Sequence, residues 1–337
     1  MLKSMITTSL ITLTLLMSGC GGDTEGESVL ETQKMLDDGN FAGVISKLEG
    51  SASSDDDYIN LASAYMGHSG LTLTNLVTSI LNANDPNSND SAFANFIKGV
   101  STATSPTALV DLRKSTASYK EIIGSGCDNA TLLTTPQKDI CLFVGLSNMG
   151  SAAVAINYLT GSISAFGGGT DNKLTASICA MHYALDGSED AECTFPSGLS
   201  SVSFLQSEKT YEFFDVSVNG ETFYYLKNSA NRTITTRGYC SNTDFSTRTE
   251  TKRADYYACP INEIAGEDDF TTTGVLVEVL NEGLGAISGA GSEDIALSVD
   301  EFRCEIIIDA TYDGTSCSST NDVSELDIVQ YLKDQNK

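Results

Sequence analysis

Apolar positions along the first half of the chain recur at helical spacing. Leu30, Met35 and Leu36 begin one apolar face, and Asp37-Asp38-Gly39 interrupts it. A second short stripe carries Phe41, Val44, Ile45 and Leu48, and Tyr58 opens a third with Leu61, Ala62, Ala64 and Tyr65. Leu71 to Leu81 is amphipathic, and Phe93, Phe96, Ile97 and Val100 share a helical face. Pro106 is expected at the first position of a helix through Leu109, Leu112, Tyr119 and Ile122-Ile123, because its missing N–H costs nothing there. Thr135-Pro136 marks another start. From Ile140 to Leu159 the pattern is apolar nearly all round, which predicts a central, buried helix. Asp139, Asn148 and Asn157 interrupt it, which argues against a membrane span. Gly167-Gly168-Gly169 reads as a loop, and Leu174 to Leu185 as a further helix carrying Cys179.

The period then changes. Val202–Leu205, Tyr211–Val218 and Glu221–Leu226 read as strands, with Thr233–Thr236 as a further one leading to Cys240. Asn219-Gly220, between aromatic and β-branched residues, signals a two-residue hairpin. Phe213, Phe214, Phe223, Tyr224 and Tyr225 make this hairpin the leading surface candidate, because alternation sends neighbours to opposite faces. Helical spacing returns over Gly274–Leu284, Asp294–Arg303 and Val323–Leu332, while Ser298–Ile307 fits helix or strand. The expected fold is mainly α: a bundle of helical hairpins with a small antiparallel β-hairpin insert in the C-terminal half. Its regions are 29–187, helical, and 188–337, α+β and cysteine-containing. No long linker divides them, so a shared core is expected.

Gly39 followed two residues on by Phe41, then Val44-Ile45, then Leu61-Ala62-Ser63-Ala64-Tyr65, resembles a tetratricopeptide unit over residues 30–66. The resemblance implies paired antiparallel helices with small residues at their closest approach. The closing Pro and the regular repeat period of that family are absent, so hairpin packing is expected rather than a repeat array.

The N-terminus adds a different signal. Lys3 precedes the apolar, Thr-rich stretch Ile6–Met17, which is too short to span a bilayer and runs into Leu16-Met17-Ser18-Gly19-Cys20. This resembles the bacterial lipobox, although Met17 stands where that family prefers Leu. The resemblance implies removal of residues 1–19, a diacylglycerol on the Cys20 thiol and an acyl chain such as palmitate on the new amine. Multiple acyl chains suffice for stable anchoring. Gly21, rather than Asp, follows the cysteine, which in this family favours the outer over the inner membrane. Residues 20–28 are expected to form a lipidated polar tether.

Composition narrows the partners. Without residues 1–19 the chain has 18 basic and 45 acidic side chains, a net −27. Such a charge excludes nucleic acid and argues against lying flat on anionic lipid. With Cys20 set aside, eight cysteines remain: Cys127, Cys141, Cys179, Cys193, Cys240, Cys259, Cys304 and Cys317. An even number in an exported chain, with no CxxC, reads as disulfides rather than a redox or zinc motif. They fall in four local pairs, which favours sequential pairing; crossed pairing across the C-terminal half is the alternative. Closing each loop would contribute roughly 3 kcal/mol.

Catalytic signals are sparse. His68, in Gly67-His68-Ser69-Gly70, reads as the end of a helix, where an imidazole meets the negative dipole end. His182 reads as packing or surface. Asp85–Asp90 mimics half a calcium loop but lacks its glycine and its closing Glu, so a turn leading into a helix accounts for it. Asp55-Asp56-Asp57 suits a helix N-terminus, as does Glu267-Asp268-Asp269. No phosphate loop, dinucleotide fingerprint or H-E-x-x-H is present in the sequence, so no cofactor or metal is expected.

The functional expectation is a non-enzymatic, membrane-anchored envelope lipoprotein that holds a protein or peptide partner. The alternatives are a small-ligand-binding accessory lipoprotein of a transporter and a hydrolase with dispersed carboxylates. The anchor is directly testable. Mass spectrometry of the mature protein should find Cys20 at the N-terminus carrying acyl mass, and Cys20→Ala should leave unprocessed precursor. A free, unacylated Cys20 would refute the assignment.

Overall fold

The long apolar helix expected near the middle of the chain is the axis of the molecule. The computed structural model describes residues 24–85, 88, 90–101, 107–127, 133–160, 172–186, 193–194, 200–203, 210–228, 234–235, 238–239, 258–259 and 272–335. Among the described residues eight helices come first: α1 (Thr24–Asp37), α2 (Phe41–Leu48), α3 (Asp55–His68), α4 (Leu73–Leu81), α5 (Ala92–Ser101), α6 (Ala108–Ile123), α7 (Thr135–Thr160) and α8 (Asn172–Asp186). Short strands follow: β1 (Ser200–Ser203), β2 (Thr210–Val218), β3 (Glu221–Asn228), β4 (Ile234–Thr235), β5 (Gly238–Tyr239) and β6 (Ala258–Cys259). Three helices close the chain: α9 (Thr272–Ala290), α10 (Glu293–Ile306) and α11 (Glu325–Gln335). The fold is mainly α with a small antiparallel sheet, as the sequence pattern predicts.

Helix α7 is long and apolar enough to cross a membrane by length and composition, yet 83% of its apolar window is buried inside the fold. It packs against α4, α5, α6, α8 and, most extensively, α9. Two glycines bring α7 and α9 together. A Cβ on Gly145 would overlap Ile287 Cγ1 and lie 3.1 Å from both the Gly283 carbonyl oxygen and the Ile287 backbone nitrogen. A Cβ on Gly283 would sit 3.3 Å from the Gly145 carbonyl oxygen and 3.2 Å from Met149 Sδ. The two backbones are therefore in contact, which only glycine permits.

One hydrophobic cluster runs from Met66 through α4–α8, β2 and α9–α11 to Leu332, so both halves share a core. Aromatic rings seal the seam between α5 and the C-terminal helices. Phe93 lies 5.7 Å from Phe302 and 5.5 Å from Tyr331, and Phe96 lies 5.4 Å from Phe302, centroid to centroid. Each such pair adds about 0.5–1.5 kcal/mol beyond the area buried. A smaller cluster of Val44, Leu48, Leu61, Ala64 and Tyr65 holds α2 on α3. There the Phe41 ring lies directly over Gly67, where a Cβ would collide with it.

Several boundaries differ from expectation. The stretch expected as a polar tether is helical from Thr24. Helix α3 starts at Asp55 rather than Tyr58. Ser54 caps it, and the Asp57 carboxylate accepts from the Ser54 N–H in return, so the acidic triplet is the first helical turn. Helix α6 starts at Ala108, not at Pro106, which lies outside the described residues. Helix α9 runs to Ala290, past its own glycines, because packing on α7 outweighs their low propensity. The ambiguous 298–307 stretch is helical through Ile306.

The hairpin forms at Asn219-Gly220 with φ of 52° and 84°, both left-handed as a tight hairpin turn requires, and Val218 faces Glu221 across it. The insert is larger than a hairpin: β1-β2-β3-β4 make a four-stranded antiparallel sheet, and β5 pairs with β6. Val216 and Val218 are buried and join the main core. The side chains of Phe213, Phe214, Phe223, Tyr224 and Tyr225 lie outside the described residues.

The crossing makes a contrasting pair of predictions. Gly145→Ala should lower unfolding free energy in a denaturant titration by about 1–3 kcal/mol, because backbone blocks the new methyl. Gly285→Ala meets nothing within 4 Å and should be neutral or stabilising by up to ~1 kcal/mol.

Candidate functional site

Three of the expected disulfides are present. Cys127–Cys141, Cys179–Cys193 and Cys304–Cys317 join Cα atoms 5.4, 6.4 and 5.4 Å apart. Each closes a local loop at a helix end. Cys193 hands the chain to Thr194, whose backbone pairs with Ser217 of β2. Cys317 ends a turn in which Asp313 accepts from the Thr315 and Ser316 N–H groups; these bonds, led by the Thr315 hydroxyl, hold its carboxyl below the usual range. Cys20 and Cys240 lie outside the described residues, and only the backbone of Cys259 is described. Peptide mapping without reduction should recover those three pairs and leave Cys240 joined to Cys259. A cross-link from Cys240 to any other cysteine would contradict local pairing.

The polar groups that could do chemistry form three clusters. In the first, His68 ends α3 as expected, but it also has a partner that local sequence does not show. Its Nδ1 lies 2.9 Å from Oδ2 of Asp111 on α6. The Asp111 side chain is only 8% exposed, and the Thr107 hydroxyl donates to the same oxygen at 2.7 Å. A carboxylate-held imidazole is the base half of a catalytic triad. Here the neighbouring hydroxyl turns to the carboxylate and not to the ring, so the arrangement is a clasp between α3 and α6. Beside it, Glu49 accepts from the Tyr65 hydroxyl at 2.6 Å and from Lys114 at 2.8 Å. Burial, then the Glu49 carboxylate, push the Tyr65 hydroxyl far above its ordinary pKa.

The second cluster links α6, α7 and α9. Lys120 donates to both oxygens of Glu282 at 2.8 and 2.7 Å, Asn148 donates to Glu282 at 3.1 Å, and the Thr116 hydroxyl donates to Asn148 at 3.1 Å. A cleft of about 320 Å³ opens beside it, walled by Cys127, Val144, Asn281, Gly285 and Ala286. Tyr119 packs under Val144 and Ala286, and burial pushes its hydroxyl up to about 12. His182 is partly buried, and its Nε2 has no hydrogen-bond partner among the described residues.

The third cluster is a groove of about 620 Å³ where α10 ends against α11, lined by Glu301, Glu305, Asp309, Tyr312, Tyr331 and Asp334 among others. Glu305 reaches out of α10 to cap another helix: its two oxygens accept from the Ala92 and Phe93 N–H groups at 2.8 Å each. These are donors that a helix cannot satisfy within its own first turn. Tyr331 closes the floor, its hydroxyl 2.8 Å from the Ser91 hydroxyl and pushed far up by burial.

In the half calcium loop the Ser88 N–H donates to the Asp85 carbonyl at 2.9 Å, Asp90 pairs with Lys98 at 2.6 Å and the Ser88 hydroxyl donates to Asn95 at 3.0 Å; Pro86, Asn87 and Asn89 lie outside the described residues. Among the described residues no three His, Cys, Asp or Glu converge as a metal site would need. No protein family, curated protein or solved structure matches the chain.

Asp111, Glu282 and Glu305 are the residues that local reading overlooks, because their partners are distant in sequence. A faint signal exists for the first: Asp111, Ser115 and Ser118 recur at helical spacing, and all are buried on α6.

Glu305 generates a pH prediction. Burial raises its carboxyl above the ordinary 4.5, outweighing the two backbone hydrogen bonds that lower it. The folded state thus binds this proton more tightly than the unfolded chain, a contribution present below 4.5 and lost as pH rises through the folded value. Wild type should lose stability relative to Glu305→Gln over that rise. Glu305→Ala, which strands both N–H groups, should cost about 1–3 kcal/mol at every pH. Chemical denaturation across pH checks both.

Proposed function

We propose that this chain is a lipid-anchored cell-envelope protein, placed in the outer membrane, that works by holding a protein or peptide partner rather than by catalysis. The observation that carries the reading is how the titratable groups are used. His68 is committed to Asp111, Lys120 to Glu282, and Glu305 to the start of α5. Each cluster joins helices, its charged groups paired with one another or with helix N–H groups.

The three disulfides support an oxidising compartment. The lipobox resemblance at Cys20 supports the anchor, and the strongly acidic balance supports a partner other than nucleic acid. The helix pairing of α2 and α3 over Gly67 is the kind of packing that tetratricopeptide modules use to present a surface to peptides.

A second reading, a small-ligand accessory protein, is favoured by the cleft beside Lys120 and Glu282, whose Gly285 wall is open. Chemical cross-linking in intact envelopes, followed by detergent extraction and capture of this chain, separates the two. A protein should be captured in a defined ratio and lost without the cross-linker at high salt. If no protein is captured and a small molecule co-purifies, the partner reading fails.

A further inference from the structure

The groove at the end of α10 has a feature that its capping role does not use. Among the described residues its lining includes Glu301, Glu305, Asp309 and Asp334 and no Lys, Arg or His. One exposed large apolar side chain lines it, and a second lies near it at the start of α11. Ile308, which lines the groove, is 38% exposed, and Leu326 is 48% exposed. They are neighbours, because the Ile308 N–H donates at 2.8 Å to Asp327, the residue after Leu326. Among the described residues only Leu30 and Leu81 are comparable large apolar side chains left exposed. Of that set, Ile308 lines the acidic groove.

The carboxylates do not converge as ion ligands. Glu305 is spent on the Ala92 and Phe93 N–H groups, Glu301 accepts from Asn84 at 2.6 Å, and Asp334 accepts from Gln330 at 3.0 Å. They supply a spread negative field instead. The field registers on Tyr312, whose hydroxyl is raised first by burial and then by Glu301, Asp300 and Asp313. Asp309 holds an exposed carboxylate at the groove in a left-handed conformation, φ 62°, which a non-glycine residue adopts at some cost. A distributed acidic lining beside an aliphatic edge complements an extended segment that alternates cationic and apolar side chains.

We infer that the α10–α11 groove docks a basic, amphipathic peptide segment of the partner protein, with Asp309 and Asp334 meeting its cationic side chains and Ile308 an apolar one. This rests on the reading of the chain as a partner-holding protein and names the surface and the chemistry.

The test uses the full-length lipidated protein in non-ionic micelles and a dye-labelled short peptide of alternating lysines and leucines, read by fluorescence anisotropy against empty micelles. Binding should saturate. Asp309→Asn with Asp334→Asn should weaken it roughly five- to tenfold, as two rim charges of up to ~1 kcal/mol each would. Asparagine tolerates the left-handed φ, and Glu305 is left intact so that α5 keeps its cap. Ile308→Ser should weaken the lysine–leucine peptide but not a lysine–serine peptide of equal charge. Asp37→Asn with Asp38→Asn removes the same charge from the exposed turn after α1 and should change nothing.

The groove is refuted if that remote pair weakens binding equally, if wild type shows no saturable binding, or if spermidine and the lysine–serine peptide bind as tightly as the lysine–leucine one. The envelope cross-linking separates the two levels. Partner capture that persists in the Asp309/Asp334 variant overturns the groove and leaves the partner reading standing. Absence of any captured protein from wild type overturns the partner reading itself.

Discussion

The contact between the backbones of α7 and α9 at Gly145 and Gly283 is the constraint from which the rest of the fold follows. Helices normally pack with side chains between them, at separations of about 8–10 Å. Here Ile287 lies across Gly145 and Met149 across Gly283, so each helix uses the space the other leaves empty. Close approach lets Asn148, deep in α7, reach Glu282 on α9, and lets Lys120 of α6 meet the same carboxylate. Widening the crossing by one methyl would strain this network together with the apolar contacts. The crossing also joins residues on either side of the cysteine-rich insert, so the main core draws on both halves of the chain.

Several polar side chains inside that core are satisfied in ways that specify partners. Ser115 meets Ser147, Thr116 meets Asn148, and Ser151 donates back to the Ser147 carbonyl. A buried hydroxyl without a partner costs more than a paired one gains, so such pairs select register between α6 and α7 rather than adding much stability. The disulfides play the complementary part at the edges. Each ties a buried helical cysteine to the segment before or after that helix, and each acts mainly by limiting the unfolded chain.

Much of the architecture was legible in the sequence because it rests on local rules. Asn219-Gly220 specifies its turn through left-handed φ, and the apolar run of α7 specifies burial on every side. Local spacing also fits the Cys127–Cys141, Cys179–Cys193 and Cys304–Cys317 bridges. What was not legible depends on distant partners. The sequence pattern ends this helix at Leu284, and packing on α7 explains why it continues past Gly285 and Gly289. His68 looked like a helix end, which it is, but nothing near it in sequence indicates Asp111. The acidic groove was hidden for the same reason: its carboxylates come from α10, the turn after it and α11, and they are dispersed among many other acidic residues.

The cap that Glu305 places on α5 ties the order of events in folding to the order of synthesis. The donors at Ala92 and Phe93 precede their acceptor by 213 and 212 residues. While the chain emerges, Ser91 can accept from Ala94, but the Ala92 and Phe93 N–H groups wait for Glu305, and loop closure over such a span is slow. The short disulfide loops can close as soon as each emerges, whereas this helix stays incomplete until nearly the whole chain has arrived. A protein wired in this way completes its fold only after its C-terminal helices are delivered, a sequence of events compatible with crossing a membrane as an unfolded thread.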